Sequence, residues 1–247
     1  MRLHFTSMSG LEILFEDEDL FLLNKPRAIH SISRSAADHS IVTKLLNIDS
    51  ILDSEQAALS DAGLIQRLDF FTSGCLLGAK NEKTWQNLKQ QIKTGLIRKQ
   101  YLAILERNLT DCSVFAFIGS PYRHAKKVKC YLPANSISRS LSARTEFSSG
   151  IQAGSNCYLL EACALTGRRH QIRAHASFVG APLVGDKIYG SSLELNEELA
   201  FLQNKDIDGF FLHAKGISFS HPKKQQPLSF VAKLPEDFSE LSQLSLR

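Results

Sequence analysis

One nine-residue segment, residues 66–74 (QRLDFFTSG), combines an acidic side chain with the residues of a tight turn. Asp69 precedes a Thr-Ser-Gly run, residues 72–74, whose hydroxyl groups and flexible glycine favour turns with local hydrogen bonds. Such a turn can present the Asp69 carboxylate at a cleft, where it could act as a nucleophile or as a general base. From the spacing alone, an aspartate that simply caps the turn is the commoner alternative.

A second segment, residues 165–175 (LTGRRHQIRAH), concentrates three arginines and two histidines. Its pattern predicts a helix over residues 168–179, in which Arg169 and Arg173 share a face because they are four residues apart. The guanidinium fork matches both carboxylate and phosphate, and the first turn of a helix offers backbone N–H groups to an anion. The segment therefore indicates an anion-binding or carboxylate-pairing site, with a solvated basic helix face as the alternative.

Three further segments place polar or aromatic side chains at strand and turn positions. They are residues 99–103 (KQYLA) with Tyr101, residues 185–190 (GDKIYG), and residues 212–222, which begin with LHA and end with HP. Each is ordinary by itself, since tyrosine is common in strands and glycine and aspartate are common in turns. The chain has no G-x-G-x-x-G, Walker A or nucleophile-elbow pattern, so we expect no cofactor.

The composition is that of a globular protein. Of the 247 residues, 43% are hydrophobic and 22% are charged, and the net charge of +4 permits a polyanionic partner without requiring one. The five cysteines form no C-x-x-C pair, and His170 and His175 would lie on different helix faces, so we expect neither disulfides nor a metal site. The chain has no signal-peptide pattern and no apolar run near the roughly 18 residues of a membrane helix, which predicts a cytoplasmic location without a membrane partner.

Hydrophobic periodicity predicts more strands than helices. Residues 81–94 have helical spacing, with Asn81 as the N-cap and with Trp85, Leu88 and Ile92 on one face. The dispersed helices favour an α+β fold with a mixed sheet, built as a single domain over residues 1–247. Strands are predicted at residues 11–15, 20–23, 75–79, 100–105, 157–164, 211–220 and 227–232, a loop with a short helix at 30–62, and a polar helix or loop at 193–208.

These segments, in this order, resemble the RluA-type pseudouridine synthases, which act on ribosomal and transfer RNA. That family is marked by K-P-x-G, H-R-L-D-x-x-T-S-G, K-x-Y-x-A, T-G-R-x-H-Q-I-R-x-H, G-D-x-x-Y-G, and L-H-A with a following H-P. The matching residues here are 25–28, 66–74, 99–103, 166–175, 185–190 and 212–222. Because six motifs match in register over roughly residues 11–233, chance is a poor explanation.

The resemblance implies a pseudouridine synthase fold, with a mixed, largely antiparallel central sheet flanked by helices and loops and a catalytic cleft across the sheet. It implies that Asp69 is the catalytic aspartate, that Arg173 pairs with it, and that Tyr101 stacks on the base and is a candidate for proton transfer. Arg67 would fill the gap left by the extruded uridine, and Ile172 would line the pocket. Further RNA contacts are expected from Arg168, His170, Lys126 and Lys127, and more broadly from Arg123, Lys129, Arg139 and Arg144.

Two positions depart from the family pattern, since Gln66 replaces a histidine and Ala28 replaces a glycine. Glutamine keeps hydrogen-bonding capacity but cannot titrate, and Ala28 matters only if its backbone needs a positive φ. Only ten residues precede the first predicted strand, so we expect no N-terminal S4 domain of the kind that binds RNA in many relatives. The expected protein is a monomer whose catalytic domain selects a stem-loop of transfer RNA or large-subunit ribosomal RNA.

Two other functions fit parts of the sequence. A protein that keeps the fold and binds RNA, but has lost catalytic activity, is the main alternative, and Gln66 favours it slightly. An aspartate-nucleophile phosphatase would share the D-x-x-T pattern that begins at Asp69. That class needs a second carboxylate two residues after the first, and Phe71 stands there instead, which makes the phosphatase a poor match.

Overall fold

The computed structural model describes residues 11–32, 40–46, 60–200 and 207–243 of the chain. The chain divides into two compact units. The first contains Met1–Arg98 and Ala214–Lys233, and the second contains Lys99–His213 and Leu234–Arg247. Each unit therefore combines segments that are far apart in sequence, and non-local contacts hold it together.

The described part of the first unit contains a β-sheet and two α-helices. Its elements are β1 (Glu12–Glu16), β2 (Leu20–Lys25), α1 (Ile41–Leu46), β3 (Ser73–Ala79), α2 (Glu82–Lys93), β10 (Leu212–Ser220, from Ala214 onward in this unit) and β11 (Pro227–Val231). Neighbouring strands follow the order β1-β2-β3-β10, β11 pairs with β10, and the pairs β1–β2, β2–β3 and β10–β11 are antiparallel. All seven residues of β3 are buried, which explains why its sequence is a continuous run of small and apolar residues without alternation.

Helix α2 confirms the predicted N-cap and the helical spacing that places Trp85, Leu88 and Ile92 on one face, but these three residues differ in burial. The Asn81 side chain accepts a hydrogen bond from the first turn at 2.9 Å. Leu88 is fully buried, whereas Trp85 and Ile92 are only half-buried and Gln91 is buried instead. The Gln91 amide donates to and accepts from the main chain at the end of β10, at 2.8 and 3.0 Å, so burial leaves these polar groups paired.

The second unit contains a larger antiparallel sheet with a helix packed on one face. Its elements are β4 (Arg98–Leu105, from Lys99 onward in this unit), β5 (Cys112–Gly119), β6 (Lys129–Tyr131), β7 (Leu141–Phe147), β8 (Ile151–Gln152), β9 (Tyr158–Ala164), α3 (Gln171–Phe178), which is the helix on the sheet, and α4 (Leu195–Glu198). The strands follow the order β4-β9-β7-β5-β6, and β8 pairs with β9. In β7, Ala143, Thr145 and Phe147 are buried while the two residues between them are exposed, as expected for a sheet covered on one side.

The predicted α+β class is confirmed, and the predicted strands are present with small shifts of their ends. Strands β5, β6, β7 and β8 were not predicted. The last three are short or half-polar and show no continuous apolar run, whereas β5 has an apolar run that was overlooked. The helix predicted over residues 168–179 begins three residues later. Parts of the predicted loops and helices, residues 33–39, 47–59 and 201–206, lie outside the described residues. No helix in the described ranges is long and apolar enough to cross a membrane.

Candidate active site

Asp69 lies on a turn that leads directly into β3. Its main-chain carbonyl accepts a hydrogen bond from the backbone N–H of Thr72 at 3.0 Å, which closes a four-residue turn. The hydroxyl of Ser31 lies 3.0 Å from both the N–H and the carbonyl of Leu68 and holds the approach to this turn. Gly74 has a φ of 103°, and a Cβ there would collide with the main chain of β10. The predicted tight turn is therefore confirmed, and Asp69 is half-buried on it.

A buried ammonium group supports the same turn. Lys25, at the end of β2, is fully buried, and its Nζ donates to the main-chain carbonyls of Pro26 at 2.8 Å and Phe70 at 3.3 Å. Burial lowers the pKa of Lys25 to about 7, while the negative charge of Asp69 raises it and the positive charge of Arg27 lowers it further. Lys25 therefore places an amine within electrostatic reach of Asp69. The K-P segment drew attention to this lysine, but no local pattern could show its burial.

Aromatic rings flank the turn. The ring of Phe70 lies 4.8 Å from that of His30 and 4.9 Å from that of Phe71, and the guanidinium of Arg27 lies 5.8 Å from the Phe71 ring centroid. Phe70 is 36% exposed, and Arg67 is exposed. The exposed guanidinium of Arg67 and the faces of these rings leave cationic and aromatic surface accessible at the turn.

Both departures from the family pattern have structural consequences. Ala28 has a φ of 54°, the left-handed conformation that costs a residue with a Cβ about 1–2 kcal/mol. Gln66 donates only weakly, with 3.4 Å between its Nε2 and the carbonyl of Cys75, and its Oε1 is buried without a partner among the described residues. The buried hydroxyl of Thr72 also has no partner there. The surroundings of Asp69 thus contain backbone strain and unpaired polar atoms.

In the second unit, Arg173 on α3 is held by Asp186. Its Nε lies 2.7 Å from Asp186 Oδ2 and its Nη2 lies 2.9 Å from Oδ1, in a buried bidentate ion pair. The guanidinium also lies 4.3 Å from the ring centroid of Phe210 and 4.9 Å from that of Tyr189. The sequence indicated Asp186 only as part of a turn. Its G-D-K-I-Y-G segment was noticed, but a local pattern does not show which arginine the aspartate pairs with.

The segment before α3 is a hydrogen-bonded turn rather than the first turn of the helix. The side-chain carbonyl of Gln171 accepts from the Thr166 hydroxyl at 2.6 Å and from the backbone N–H of Arg168 at 3.0 Å. The Nζ of Lys99 donates to the main-chain carbonyl of Thr166 at 2.8 Å. Burial lowers the pKa of Lys99 to about 8, the charge of Cys163 raises it, and the charge of Arg168 lowers it. This network fixes the backbone from which α3 starts.

Arg169 and His170 belong to this turn, and each contacts a neighbouring segment. Because α3 begins two residues later, the prediction that Arg169 and Arg173 share a helix face is wrong. Arg169 Nη2 donates to the main-chain carbonyl of Ala125 at 2.6 Å. His170, with a left-handed φ of 52°, has its Nδ1 3.0 Å from the hydroxyl of Tyr189. Arg169 therefore fastens the segment that contains Ala125, and His170 contacts Tyr189.

The other predicted residues of this unit lie on its sheet and on α3. Tyr101 is 8% exposed on β4, and Ile172 is 4% exposed on α3. His175 is fully buried with its Nδ1 2.9 Å from the hydroxyl of Thr145, and burial lowers the pKa of His175 to about 4, so its ring is neutral at pH 7. Arg168 is half-buried and donates to the main-chain carbonyl of Ser142 at the start of β7, whereas Lys126 and Lys127 are exposed on the loop before β6.

One group of carboxylate and imidazole side chains within the described ranges has its ligand atoms close together: Asp17, Asp19 and His221. His221 Nδ1 accepts from the backbone N–H groups of Lys223 and Lys224 at 3.1 and 3.0 Å, so the ring proton sits on Nε2, which lies 2.8 Å from Asp17. The Nζ of Lys224 also lies 2.8 Å from the same carboxylate. The hydrogen bonds of His221 and the ion pair of Lys224 with Asp17 order the turn between β10 and β11.

Comparison with known proteins shows the family and the fold of this chain. Residues 19–178 match the family model described as RNA pseudouridylate synthase. An uncharacterized RNA pseudouridine synthase of Helicobacter pylori is 32% identical over 233 residues, covering 93% of this chain and 68% of the relative. Ribosomal large subunit pseudouridine synthase D of Xylella fastidiosa is 30% identical, covering 94% of this chain and 68% of the relative. Human RNA pseudouridylate synthase domain containing 1 has the same fold, with a TM-score of 0.64 at 22% identity over 94% of this chain and 85% of the other.

The fold, the six motifs and the family match define an RNA pseudouridine synthase, an isomerase that modifies RNA. The chain belongs to the RNA pseudouridylate synthase family, and within it the chain is of the RluA type, to which the ribosomal large subunit synthases C and D also belong. The family match includes Asp69, Tyr101 and Arg173.

Proposed function

We propose that this enzyme converts a uridine in an unpaired loop of large-subunit ribosomal RNA or transfer RNA to pseudouridine, with Asp69 as the reacting carboxylate. The observation that carries the proposal is the placement of Asp69 on a turn fastened by the buried Lys25. The relatives named as ribosomal large subunit synthases C and D favour ribosomal RNA of the two substrates.

The isomerisation leaves the composition of the nucleoside unchanged. The C1′–N1 bond breaks, the uracil turns, C5 bonds to C1′, and the hydrogen lost from C5 is balanced by one gained at N1. In the proposal Asp69 reacts with the ribose or the base, Tyr101 stacks on the uracil and assists proton transfer, and Ile172 lines the pocket. Arg173 pairs with Asp69, and its ion pair with Asp186 supports this role because a guanidinium that is already ordered loses little freedom on pairing.

The RNA contacts follow from exposure and charge. A uridine within a stacked RNA must be flipped out of the stack, which costs a few kcal/mol. We propose that the exposed Arg67 fills the position that the uridine vacates. Arg168, His170, Lys126 and Lys127 would bind the RNA backbone, which supplies most of the affinity. We also propose that the enzyme acts in the cytoplasm as a monomer, with residues 1–247 as one catalytic domain.

Incubation of the protein with bulk ribosomal and transfer RNA, followed by quantification of pseudouridine, tests the reaction. Asp69→Asn is expected to abolish turnover while RNA affinity stays within a few-fold, because phosphate contacts dominate binding. Asp111→Asn is the matched control, since Asp111 is an exposed aspartate whose bond to the backbone of Ser149 an asparagine can keep. Measurable turnover by Asp69→Asn would show that the assignment of Asp69 is wrong. RNA binding by the wild type without any product would favour the inactive RNA-binding alternative.

A further inference from the structure

The loop between β5 and β6, residues 120–128, exposes an aromatic side chain. Tyr122 has 68% of its surface exposed. Its hydroxyl has no hydrogen bond and its ring no ring contact with the residues that the structure describes. A large aromatic surface left in water gains free energy when a flat partner covers it. Tyr122 therefore has the exposure expected of a binding residue.

The surroundings of Tyr122 are strongly basic. From Cys112 to Thr145 the chain has six lysines and arginines and no aspartate or glutamate. Four of these cations lie close to Tyr122 in sequence, and all four are exposed: Arg123, Lys126, Lys127 and Lys129. None of the four makes an ion pair with a carboxylate in the described part of the chain. A group of unneutralised cations around an aromatic ring indicates a polyanionic partner.

The loop is also held in one conformation. Its main chain is fastened by Arg169, which donates to Ala125, and by the Tyr189 hydroxyl, which accepts from the Val128 N–H at 3.0 Å. Ala125 and Val128 are buried beneath the exposed residues, and His124 has a left-handed φ of 62° that only firm surroundings maintain. Because the loop is already ordered, little conformational entropy is lost when a ligand binds to it.

We propose that Tyr122 is a stacking platform for an unpaired base of the substrate RNA, and that Arg123, Lys126 and Lys127 bind the phosphates on either side of that base. The proposal rests on RNA being the substrate of this enzyme. An aromatic ring between cations is the usual arrangement for binding single-stranded nucleic acid, because every base has a face for stacking. In a duplex the bases are already stacked on one another, so Tyr122 would distinguish an RNA loop from a helix.

Fluorescence anisotropy with two labelled probes tests this role: an RNA hairpin with an unpaired loop, and a blunt RNA duplex of matched composition. Tyr122→Ala is expected to weaken hairpin binding about fivefold to 100-fold and to leave duplex binding unchanged, while Tyr122→Phe should bind like the wild type because stacking needs only the ring. Leu132→Ala, which removes another exposed apolar side chain, is the matched control and should change neither affinity. Melting temperatures show that each variant is folded.

The dependence of affinity on salt separates stacking from charge. The double variant Lys126→Gln/Lys127→Gln should weaken binding to both probes and reduce the slope of log K against log salt by roughly 1.5, while Tyr122→Ala should leave that slope as it is. Equal losses on hairpin and duplex in Tyr122→Ala, or no loss at all, would overturn the stacking role. Tighter binding to anionic lipid vesicles than to the hairpin would overturn RNA as the ligand of this loop.

The same variants distinguish this proposal from the proposed reaction. If the wild type forms pseudouridine and Tyr122→Ala matches it in both affinity and turnover, the stacking role is wrong while the reaction stands. If the wild type binds the hairpin through Tyr122 but forms no product from bulk RNA, the stacking role holds and the reaction is wrong.

Discussion

Replacement of Lys25, the buried lysine beside the Asp69 turn, tests whether burial lowers the pKa of its amine. Burial lowers the pKa of Lys25 from 10.5 to about 7, so the folded protein releases this proton at a lower pH than the unfolded chain does. Below pH 7 both states carry the charge, and the full penalty of burying it is present. As the pH rises above 7 the folded state loses the proton first, and the free energy of unfolding therefore increases with pH.

The expected increase in the free energy of unfolding follows from the pKa shift of Lys25. Each pH unit within the shifted range contributes about 1.4 kcal/mol. Relative to Lys25→Met, the wild type should gain roughly 2 kcal/mol of unfolding free energy between about pH 7 and about pH 9, since half of the folded molecules have already lost the proton at pH 7. Urea unfolding of the full chain at several pH values measures this difference. Lys83→Met, which changes an exposed lysine of α2, is the matched control and should follow the wild type.

A second variant tests the contact with Asp69. Because the negative charge of Asp69 raises the pKa of Lys25, Asp69→Asn should move the rising part of the stability curve to lower pH. Parallel curves for wild type and Lys25→Met across the whole range would refute the reasoning, since folding would then displace no proton from Lys25. A curve for Asp69→Asn that coincides with the wild type would show that the two charges do not interact.

Three further predictions follow from other contacts. Ala28→Gly should raise the free energy of unfolding by about 0.5–1 kcal/mol in urea, because glycine adopts the φ of 54° without strain but loses more freedom on folding; a loss of stability would show that no strain is present. Arg173→Ala leaves Asp186 buried and unpaired, so the free energy of unfolding in urea should fall by roughly 3–5 kcal/mol and pseudouridine formation should fall severely; unchanged unfolding would contradict the structural role, and near-normal turnover would contradict the role in the reaction. The lowered pKa of His175 predicts that stability falls as the pH drops from about 6.5 towards 4, and His175→Gln should remove that part of the acid sensitivity, as measured by thermal melting.

Several local features could be predicted because they depend on neighbouring residues. The turn at Asp69 follows from Thr, Ser and Gly in succession, and the N-cap at Asn81 follows from an amide before an amphipathic segment. The missed strand β7 alternates between buried and exposed residues within a basic stretch, so its pattern resembled a loop. The start of α3 was misplaced because the side chain of Gln171 organises the preceding turn, and this network requires contacts with β7.

The sequence by itself determined the family, the α+β class and the turn on which Asp69 lies, since order and spacing of motifs are properties of the linear chain. Only the tertiary structure decided that Lys25 is buried beside Asp69, that Asp186 is a partner of Arg173, and that Ala28 has a left-handed backbone. Burial and long-range pairing arise when distant segments pack together. The pKa of Lys25 and the backbone strain at Ala28 therefore depend on neighbouring residues that no local pattern identifies.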